Sequence, residues 1–269
     1  MRTLVHLSDL HFGRTDPALI EPLSRRVHDL RPDVVVISGD LTQRARTAQF
    51  EEARRFLDTL PGPQIVVPGN HDVPLYNVLA RFLAPLDRFR RIITDDLEPA
   101  FLDAEIAVVG INTARSLTFK GGRVSEAQIE RVRERLCKLD RSITKVLVTH
   151  HPFDVPEDAD PKQLVGRARQ AIHAFANCGA DLIMSGHMHE SGASDPAARY
   201  GLEEGAPLVV QAGTATSTRG RGEANSFNAV YVEPNRARID RHAWDAEKAA
   251  FAVAGSEQFE RAGARWLLV

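Results

Sequence analysis

The sequence is poor in cysteine and contains no long apolar run. Its only cysteines among 269 residues are Cys137 and Cys178, which stand in separate helical patterns without the short spacing of a zinc site. We therefore expect no disulfide framework and two buried thiols in a reducing compartment. No apolar stretch is long enough to span a bilayer, and no signal peptide precedes the first folded segment. The sequence thus predicts a cytoplasmic protein without a membrane span.

An excess of positive charge is also missing. The 34 lysines and arginines are balanced by 36 aspartates and glutamates, which leaves a net charge of -2. Proteins that bind nucleic acid without sequence preference need a basic surface to neutralise phosphates, so we expect no stable nucleic-acid binding. An enzyme that acts on a small-molecule phosphoester is not excluded, because a metal ion can supply the local positive charge.

Repeats, low-complexity tracts and obvious linkers are absent as well, so we predict a single domain over residues 1–269. Short apolar runs alternate with helical patterns in the first third of the chain, which predicts right-handed βαβ units and a largely parallel sheet. Residues 76–93 are predicted to form an arginine-rich helix. Residues 229–232 and 237–242 alternate in polarity like antiparallel strands.

Five of the predicted strands end directly in a cluster of polar residues. In an open α/β sheet the carboxyl ends of the strands line the ligand crevice, so these clusters are expected to converge on one edge. The clusters are Ser8-Asp9-Leu10-His11, Ser38-Gly39-Asp40, Gly69-Asn70-His71-Asp72, Thr149-His150-His151 and Ser185-Gly186-His187-Met188-His189.

The side chains in these clusters are typical of a transition-metal site. Carboxylate, imidazole and amide donors without a thiolate suit Mn, Fe, Zn or a similar divalent or trivalent ion. One shared carboxylate can bridge two ions at roughly 3.5–4 Å, an arrangement that clamps and activates the oxygens of a phosphoryl displacement. Asp40 is the candidate bridge, because it follows a buried strand through Gly39, and glycine allows the backbone to approach closely.

In this order, the motifs resemble those of the calcineurin-like metallophosphoesterase superfamily. Their residues and spacing are similar to those of its bacterial cyclic-nucleotide phosphodiesterase branch. The resemblance spans residues 3–232. It implies an α/β fold, a four-layer αββα sandwich of two mixed β-sheets flanked by helices. The motifs that carry it are Asp9-Leu10-His11, Gly39-Asp40, Gly69-Asn70-His71, His150-His151-Pro152 and Gly186-His187-Met188-His189.

The resemblance also implies roles for these residues. A hydroxide shared by two metal ions would attack phosphorus, and Asp40 would bridge the ions. His71 would contact the phosphoryl oxygen or protonate the leaving group. One ion would be held by Asp9, His11, Asp40 and His189, and the second by Asp40, Asn70, His150 and His187.

Several functions and residue roles stay open at the level of sequence. We expect a phosphodiesterase. The alternatives are a pyrophosphatase of the UDP-diacylglucosamine type, a DNA-repair nuclease and a non-catalytic metal-binding scaffold. The pyrophosphatase ranks second because residues 76–120 show no evident exposed apolar groove, and a homodimer is possible. Asp72 is expected to support the turn, while His151, the helix with Arg81, Arg88, Arg90 and Arg91, and the loop with Arg219 and Arg221 are candidates for substrate contact.

Overall fold

Thirteen β-strands form the centre of the structure, a computed structural model that describes residues 1–118, 121–157, 159–203, 205–218 and 222–269. In chain order these strands are β1 (Arg2–Leu7), β2 (Val34–Ile37), β3 (Gln64–Val66), β4 (Ala100–Leu102), β5 (Ile106–Gly110), β6 (Thr144–Val148), β7 (Leu182–His189), β8 (Gly192–Ser194), β9 (Leu208–Gly213), β10 (Ser226–Glu233), β11 (Arg236–Asp245), β12 (Ala250–Ala262) and β13 (Arg265–Leu268).

The strands form two mixed sheets. The first has the order β13-β12-β11-β10-β1-β2-β3, and the second has the order β4-β5-β6-β7-β9-β8. Strands β1, β2 and β3 are parallel, as predicted, and so are β5, β6, β7 and β9. The predicted antiparallel pair near the end of the chain is confirmed as β10 and β11, and two further strands, β12 and β13, extend that sheet beyond it.

Among the described residues, seven α-helices cover the sheets. They are α1 (Pro17–Leu30), α2 (Thr47–Leu57), α3 (Val78–Leu83), α4 (Asp87–Ile92), α5 (Glu126–Cys137), α6 (Ala168–Asn177) and α7 (Ala197–Tyr200). Asp16 caps α1 through a hydrogen bond to the amide of Ala18, and Ser125 opens α5 with a capping box. Within the described ranges, every helix is too short or too polar to cross a bilayer.

Alternate residues of the central strands face two different apolar layers. Leu4 and Val36 of the first sheet point toward the second sheet and pack against residues such as Val146. Their neighbours Val5 and Ile37 point the other way, under α1 and α2. The outer face of the second sheet packs in the same manner against α5 and α6. Strands buried on both faces are continuously apolar. The predicted four-layer αββα sandwich is therefore confirmed, while the extent of a single domain over residues 1–269 stays a prediction.

The prediction of one continuous arginine-rich helix over residues 76–93 is wrong. The segment forms two short helices, α3 and α4, that are separated at Ala84 and Pro85. Proline disfavours a helical conformation at the residue before it, and Ala84 has φ -148° and ψ 59°. Arg81, a candidate for substrate contact, lies in α3. It is buried, and its guanidinium donates hydrogen bonds to the carbonyls of Pro74, Ser116 and Thr118.

The prediction of two buried free thiols is also wrong, because Cys137 and Cys178 form a disulfide. Helices α5 and α6 follow parallel strands and pack side by side in the same direction, so their C-terminal ends meet. Cys137 is the last residue of α5, and Cys178 directly follows α6. Periodicity along the sequence does not show which helix ends become neighbours. The thiol argument for a reducing compartment therefore fails.

Removal of this disulfide should destabilise the protein without removing the site. The bond joins residues 41 positions apart, and a loop of that length contributes roughly 3–4 kcal/mol by restricting the unfolded chain. We expect the double variant C137S/C178S to lose about that much unfolding free energy in urea titrations and to keep its metal content. An unchanged urea midpoint would contradict the pairing, as would two free thiols in the unreduced, denatured wild type.

Candidate metal centre

The seven predicted metal-binding residues lie together at the carboxyl ends of strands from both sheets. Asp9 and His11 follow β1, Asp40 follows β2, and Asn70 opens a short 3-10 turn after β3. From the second sheet, His150 follows β6, while His187 and His189 end β7. The convergence of the strand ends, predicted from five separate stretches of sequence, is present in the structure.

Most of these residues have a left-handed backbone. This conformation costs a residue other than glycine roughly 1–3 kcal/mol unless the surroundings enforce it. Here hydrogen bonds between neighbouring strand ends do so: the amide of Asp9 donates to the carbonyl of Gly39, and that of His11 donates to Asp40. The residues with positive φ are Asp9, His11, Asp40, His187 and His189.

Three donor atoms form the first of two groups. Asp9 Oδ1 lies 3.2 Å from His189 Nε2 and 3.5 Å from His11 Nε2, and the two histidine nitrogens are 3.3 Å apart. Ligands about 2.0–2.2 Å from a metal ion are separated by roughly 3.0–3.5 Å along the edges of a coordination polyhedron. The spacing and the donor types of this group therefore fit a transition-metal ion.

The second group is built around Asn70. Its Oδ1 lies 3.1 Å from His150 Nε2 and 3.1 Å from His187 Nδ1. His150 Nδ1 donates a hydrogen bond of 2.8 Å to the carbonyl of Ser38, which leaves Nε2 free to coordinate. This group contains the same kinds of donor as the first, with an amide oxygen in place of one carboxylate oxygen.

The carboxylate of Asp40 lies between the two groups. Its Oδ2 is 3.7 Å from His11 Nε2 and 3.5 Å from His150 Nε2, while Oδ1 accepts a hydrogen bond of 2.8 Å from the amide of His71. Burial alone would raise the pKa of Asp40, but His150, His71 and His11 hold it well below its usual range. A buried carboxylate shared by two donor groups is the arrangement expected of a bridging ligand.

Hydrogen bonds from neighbouring residues orient the donors. Asp9 Oδ2 accepts from Ser8 Oγ at 2.6 Å and from the amide of His187 at 2.9 Å, which turns Oδ1 toward the other donors. The hydroxyl of Thr214 donates to the carbonyl of Asp9. Sequence reasoning had not singled out Ser8 for this role, because a serine at a strand end is too common to be informative.

His71 and Asp72 have distinct surroundings. His71 Nδ1 donates a hydrogen bond of 2.9 Å to the carbonyl of Gln43, which fixes the orientation of the ring. Asp72 accepts from the amides of Thr42 and Gly69, and it therefore ties the loops after β2 and β3 together, as expected for a residue that supports the turn. Burial and the nearby Asp40 raise the pKa of Asp72 to about 6. Nothing in the sequence indicated Gln43, since its contact with His71 is made by the backbone.

The other predictions made from the sequence have different outcomes. His151 is buried and hydrogen-bonded to the hydroxyl of Thr113, and it belongs with His150 and His187 to a cluster of potential donors. Arg219 and Arg221 lie outside the described residues. Residues 76–120 were predicted to lack an evident exposed apolar groove. In the described part of this range, α3 and the residues beside it expose large apolar side chains: Tyr76, Val78, Leu79, Phe82, Leu83 and Leu117.

The chain is similar to known proteins in sequence and in fold. The sequence model of the calcineurin-like phosphoesterases matches residues 2–191, most of the chain. The chain belongs to this family. It is accordingly a metal-dependent phosphoester hydrolase, as the site indicates, and the family resemblance inferred from the motifs is confirmed.

Curated relatives are phosphodiesterases and a pyrophosphatase. A cAMP/cGMP dual specificity phosphodiesterase of Mycobacterium tuberculosis is 28% identical over 265 residues, which cover 86% of this chain and 76% of the relative. The 3',5'-cyclic adenosine monophosphate phosphodiesterase of Escherichia coli is 25% identical over 64% of this chain and 59% of its own. A UDP-2,3-diacylglucosamine pyrophosphatase of Chlamydia trachomatis is 36% identical over 76 residues, 27% of this chain and 23% of the relative.

Solved structures share the fold. A purple acid phosphatase from yellow lupin superposes with a TM-score of 0.72 at 13% identity, over 97% of this chain and 54% of its own, so the chain spans about half of that protein. A dimetal phosphatase from Danio rerio gives a TM-score of 0.63 at 16% identity, over 90% of this chain and 96% of the other. At these identities the likeness concerns the fold alone.

The close approach of Gly186 to Asp9 provides a test of the site. A Cβ atom at residue 186 would overlap Ser8 Oγ and lie 2.5 Å from Asp9 Oδ2. We expect Gly186→Ala to weaken metal binding about 10–100-fold, the usual effect of disturbing the residues that orient a ligand. Metal content by atomic emission would show the loss. Gly192→Ala is the control, since no heavy atom lies within 4 Å of its added methyl group. Equal losses of metal in both variants would show that the contact of residue 186 with Ser8 and Asp9 is not the cause.

Metal binding at neutral pH should release protons. Burial disfavours a charged His150, but the Asp40 carboxylate overcomes this and raises the pKa of His150 to about 9 in the metal-free protein. Burial lowers the pKa of His187 to about 4, so that histidine is already neutral at pH 7. A coordinating imidazole must be neutral, so His150 has to lose its proton, and affinity should increase as pH rises from 7 to 9.

Calorimetric titration of Mn²⁺ into the metal-free protein, in two buffers with different ionisation enthalpies, would measure this release. We expect at least about one proton per bound pair of ions. A binding enthalpy independent of the buffer would show that His150 is not protonated before binding.

Proposed function

We propose that this protein is a dinuclear metal-dependent phosphodiesterase. The observation that carries the proposal is the buried Asp40 carboxylate, which lies 3.7 Å from His11 and 3.5 Å from His150, one from each donor group. In the proposed site, one ion is held by Asp9, His11, Asp40 and His189, and the other by Asp40, Asn70, His150 and His187. Mn, Fe and Zn remain the expected metals, because nitrogen and oxygen donors accept all three.

The bound ions would supply a nucleophile from water at neutral pH and neutralise charge on the phosphoryl oxygens. The protein's own groups supply orientation and proton transfer. Asp40 Oδ2 lies close to both donor groups, and Asp40 Oδ1 positions the His71 backbone by accepting a hydrogen bond from its amide. His71 is fixed by the Gln43 carbonyl through Nδ1, so Nε2 would donate a proton to the leaving alkoxide or a hydrogen bond to the phosphoryl group.

A diester is the proposed substrate class because the relatives that cover most of the chain are named as cyclic-nucleotide phosphodiesterases. Cyclic nucleotides are thus the first substrates to test. A cytoplasmic location and a homodimer remain part of the proposal.

The second candidate is a pyrophosphatase that acts on a UDP-diacylglucosamine-type lipid precursor. It is favoured by the 36% identity to the chlamydial enzyme, which is confined to 76 residues. The exposed apolar side chains around α3 also remove the reason for ranking it lower. The two functions differ in the bond cleaved, so hydrolysis of cAMP or cGMP by the purified protein, with no turnover of the nucleotide-linked lipid, distinguishes them. A non-catalytic scaffold is disfavoured because none of the predicted donors is missing.

Hydrolysis of model substrates should separate the roles of Asp40 and His71. We expect the wild type to hydrolyse bis(p-nitrophenyl) phosphate faster than p-nitrophenyl phosphate. Asp40→Ala should abolish both metal uptake and hydrolysis. His71→Ala should keep the metal and lose about 10²–10⁴-fold in kcat, the usual contribution of a general acid.

His28→Ala is the matched control, since His28 contacts the carbonyl of Thr59 on the surface, away from the donors. Faster turnover of the monoester would contradict the diesterase assignment. Full activity of His71→Ala would remove the proton-donor role, and a wild type that binds no transition metal would overturn the entire proposal.

A further inference from the structure

Helix α3 has its polarity reversed relative to an ordinary surface helix. Its one charged residue, Arg81, is buried, while four of its apolar residues are exposed by more than half. A surface helix normally turns its apolar stripe to the core and its charges to water. Here the guanidinium of Arg81 is held by the carbonyls of Pro74, Ser116 and Thr118, so the reversal is fixed by specific hydrogen bonds.

The exposed apolar side chains form one surface. Arg81 holds residues 116 and 118 against α3, which places Leu117 beside the helix, and Tyr76 lies just before it. This α3 surface is defined by six residues that are 52–84% exposed: Tyr76, Val78, Leu79, Phe82, Leu83 and Leu117.

The size of the α3 surface approaches that of a subunit interface. At ~170 Å² for each fully exposed large side chain, the six residues present on the order of 700 Å² to solvent. The largest apolar patch of a typical monomer covers about 300–600 Å². A standard protein interface buries about 800 Å² on each partner. The surface is therefore large enough to account for most of one side of a stable dimer.

A recess lies directly beside the protruding helix. It has a volume of about 450 Å³ and shares Leu83 with the α3 surface. Its other apolar lining residues are Val73, Ala84, Pro85, Leu86, Leu97 and Ala114, and its polar lining residues are Asp87, Arg90, Asn112, Arg115 and Ser116. A two-fold interface needs a surface that complements itself, such that a protrusion on one copy fits a recess on the other and the reverse. An apolar protrusion next to a recess with seven apolar and five polar lining residues can meet this requirement if α3 packs against the apolar part of the recess.

The charges near the recess favour a protein partner over a membrane. Residues 87–96 carry three acids and three arginines: Asp87, Asp95, Asp96, Arg88, Arg90 and Arg91. Segments that bind anionic lipid surfaces carry clusters of about four to eight lysines and arginines. A balanced set of charges suits an interface in which each sign on one copy meets the opposite sign on the other.

We propose that two copies of this chain form a two-fold dimer through the α3 surface, with α3 of each copy seated in the recess beside α3 of the other. The interface lies near the metal centre, because Val73 and Ala114 of the recess directly follow Asp72 and Thr113. None of the proposed metal ligands takes part in it.

Leu79→Glu tests the dimer, with Leu102→Glu as the matched control. Leu79 is 73% exposed on α3, and Leu102 is 57% exposed on β4, so neither change buries a charge in the monomer. In sedimentation equilibrium over about a hundredfold concentration range, the wild type and Leu102→Glu should have twice the mass of one chain. Leu79→Glu should dimerise at least about a hundredfold more weakly, because the charge enters the interface twice. Near-UV circular dichroism and metal content, measured on the same samples, should be unchanged.

Three results would overturn the proposal. The first is a wild type that is monomeric at every concentration, and the second is a Leu79→Glu variant that remains dimeric. The third is a monomeric wild type that sediments with phosphatidylglycerol vesicles or loses turnover of a lipid-linked nucleotide on Leu79→Glu, which would assign the surface to a membrane or to an acyl chain.

Discussion

The carboxylate of Asp40 is the group on which the arrangement of the site depends. One of its oxygens accepts the amide of His71, and the other lies between His11, which follows a strand of the first sheet, and His150, which follows a strand of the second. A single buried charge thus links the strand ends of both sheets. In the metal-free protein, the raised pKa of His150 keeps this side chain positively charged at neutral pH. Its charge compensates the negative charge of the buried Asp40 carboxylate.

The strand ends hold these donors in a backbone conformation that would be unfavourable elsewhere. Five of the predicted ligands have positive φ, and hydrogen bonds such as those that the amides of Thr42 and Gly69 donate to Asp72 keep the loops in place. Three apolar layers, one between the sheets and one on the outer face of each sheet, supply the rigidity, because the central strands are buried on both faces. The surrounding hydrogen bonds and packing thus hold the donor atoms at distances that fit metal coordination.

The periphery follows other constraints. Arg81 is drawn inward by three backbone carbonyls, and the apolar residues of α3 are thereby left facing solvent. On the outer face of the second sheet, the parallel helices α5 and α6 bring Cys137 and Cys178 together at their C-terminal ends. Both features arise where segments distant in sequence meet, and the disulfide overturns the expectation of two free thiols.

The sequence alone determined the family, the alternation of strands and helices in the first third, and the residues available as metal donors. It could do so because strand ends, glycines and donor side chains are encoded within a few neighbouring residues. The contact of Gln43 with His71, the disulfide and the reversed polarity of α3 were decided only by the tertiary structure. Each of them depends on distances between segments that are tens of residues apart or more, and local periodicity contains no information about those distances.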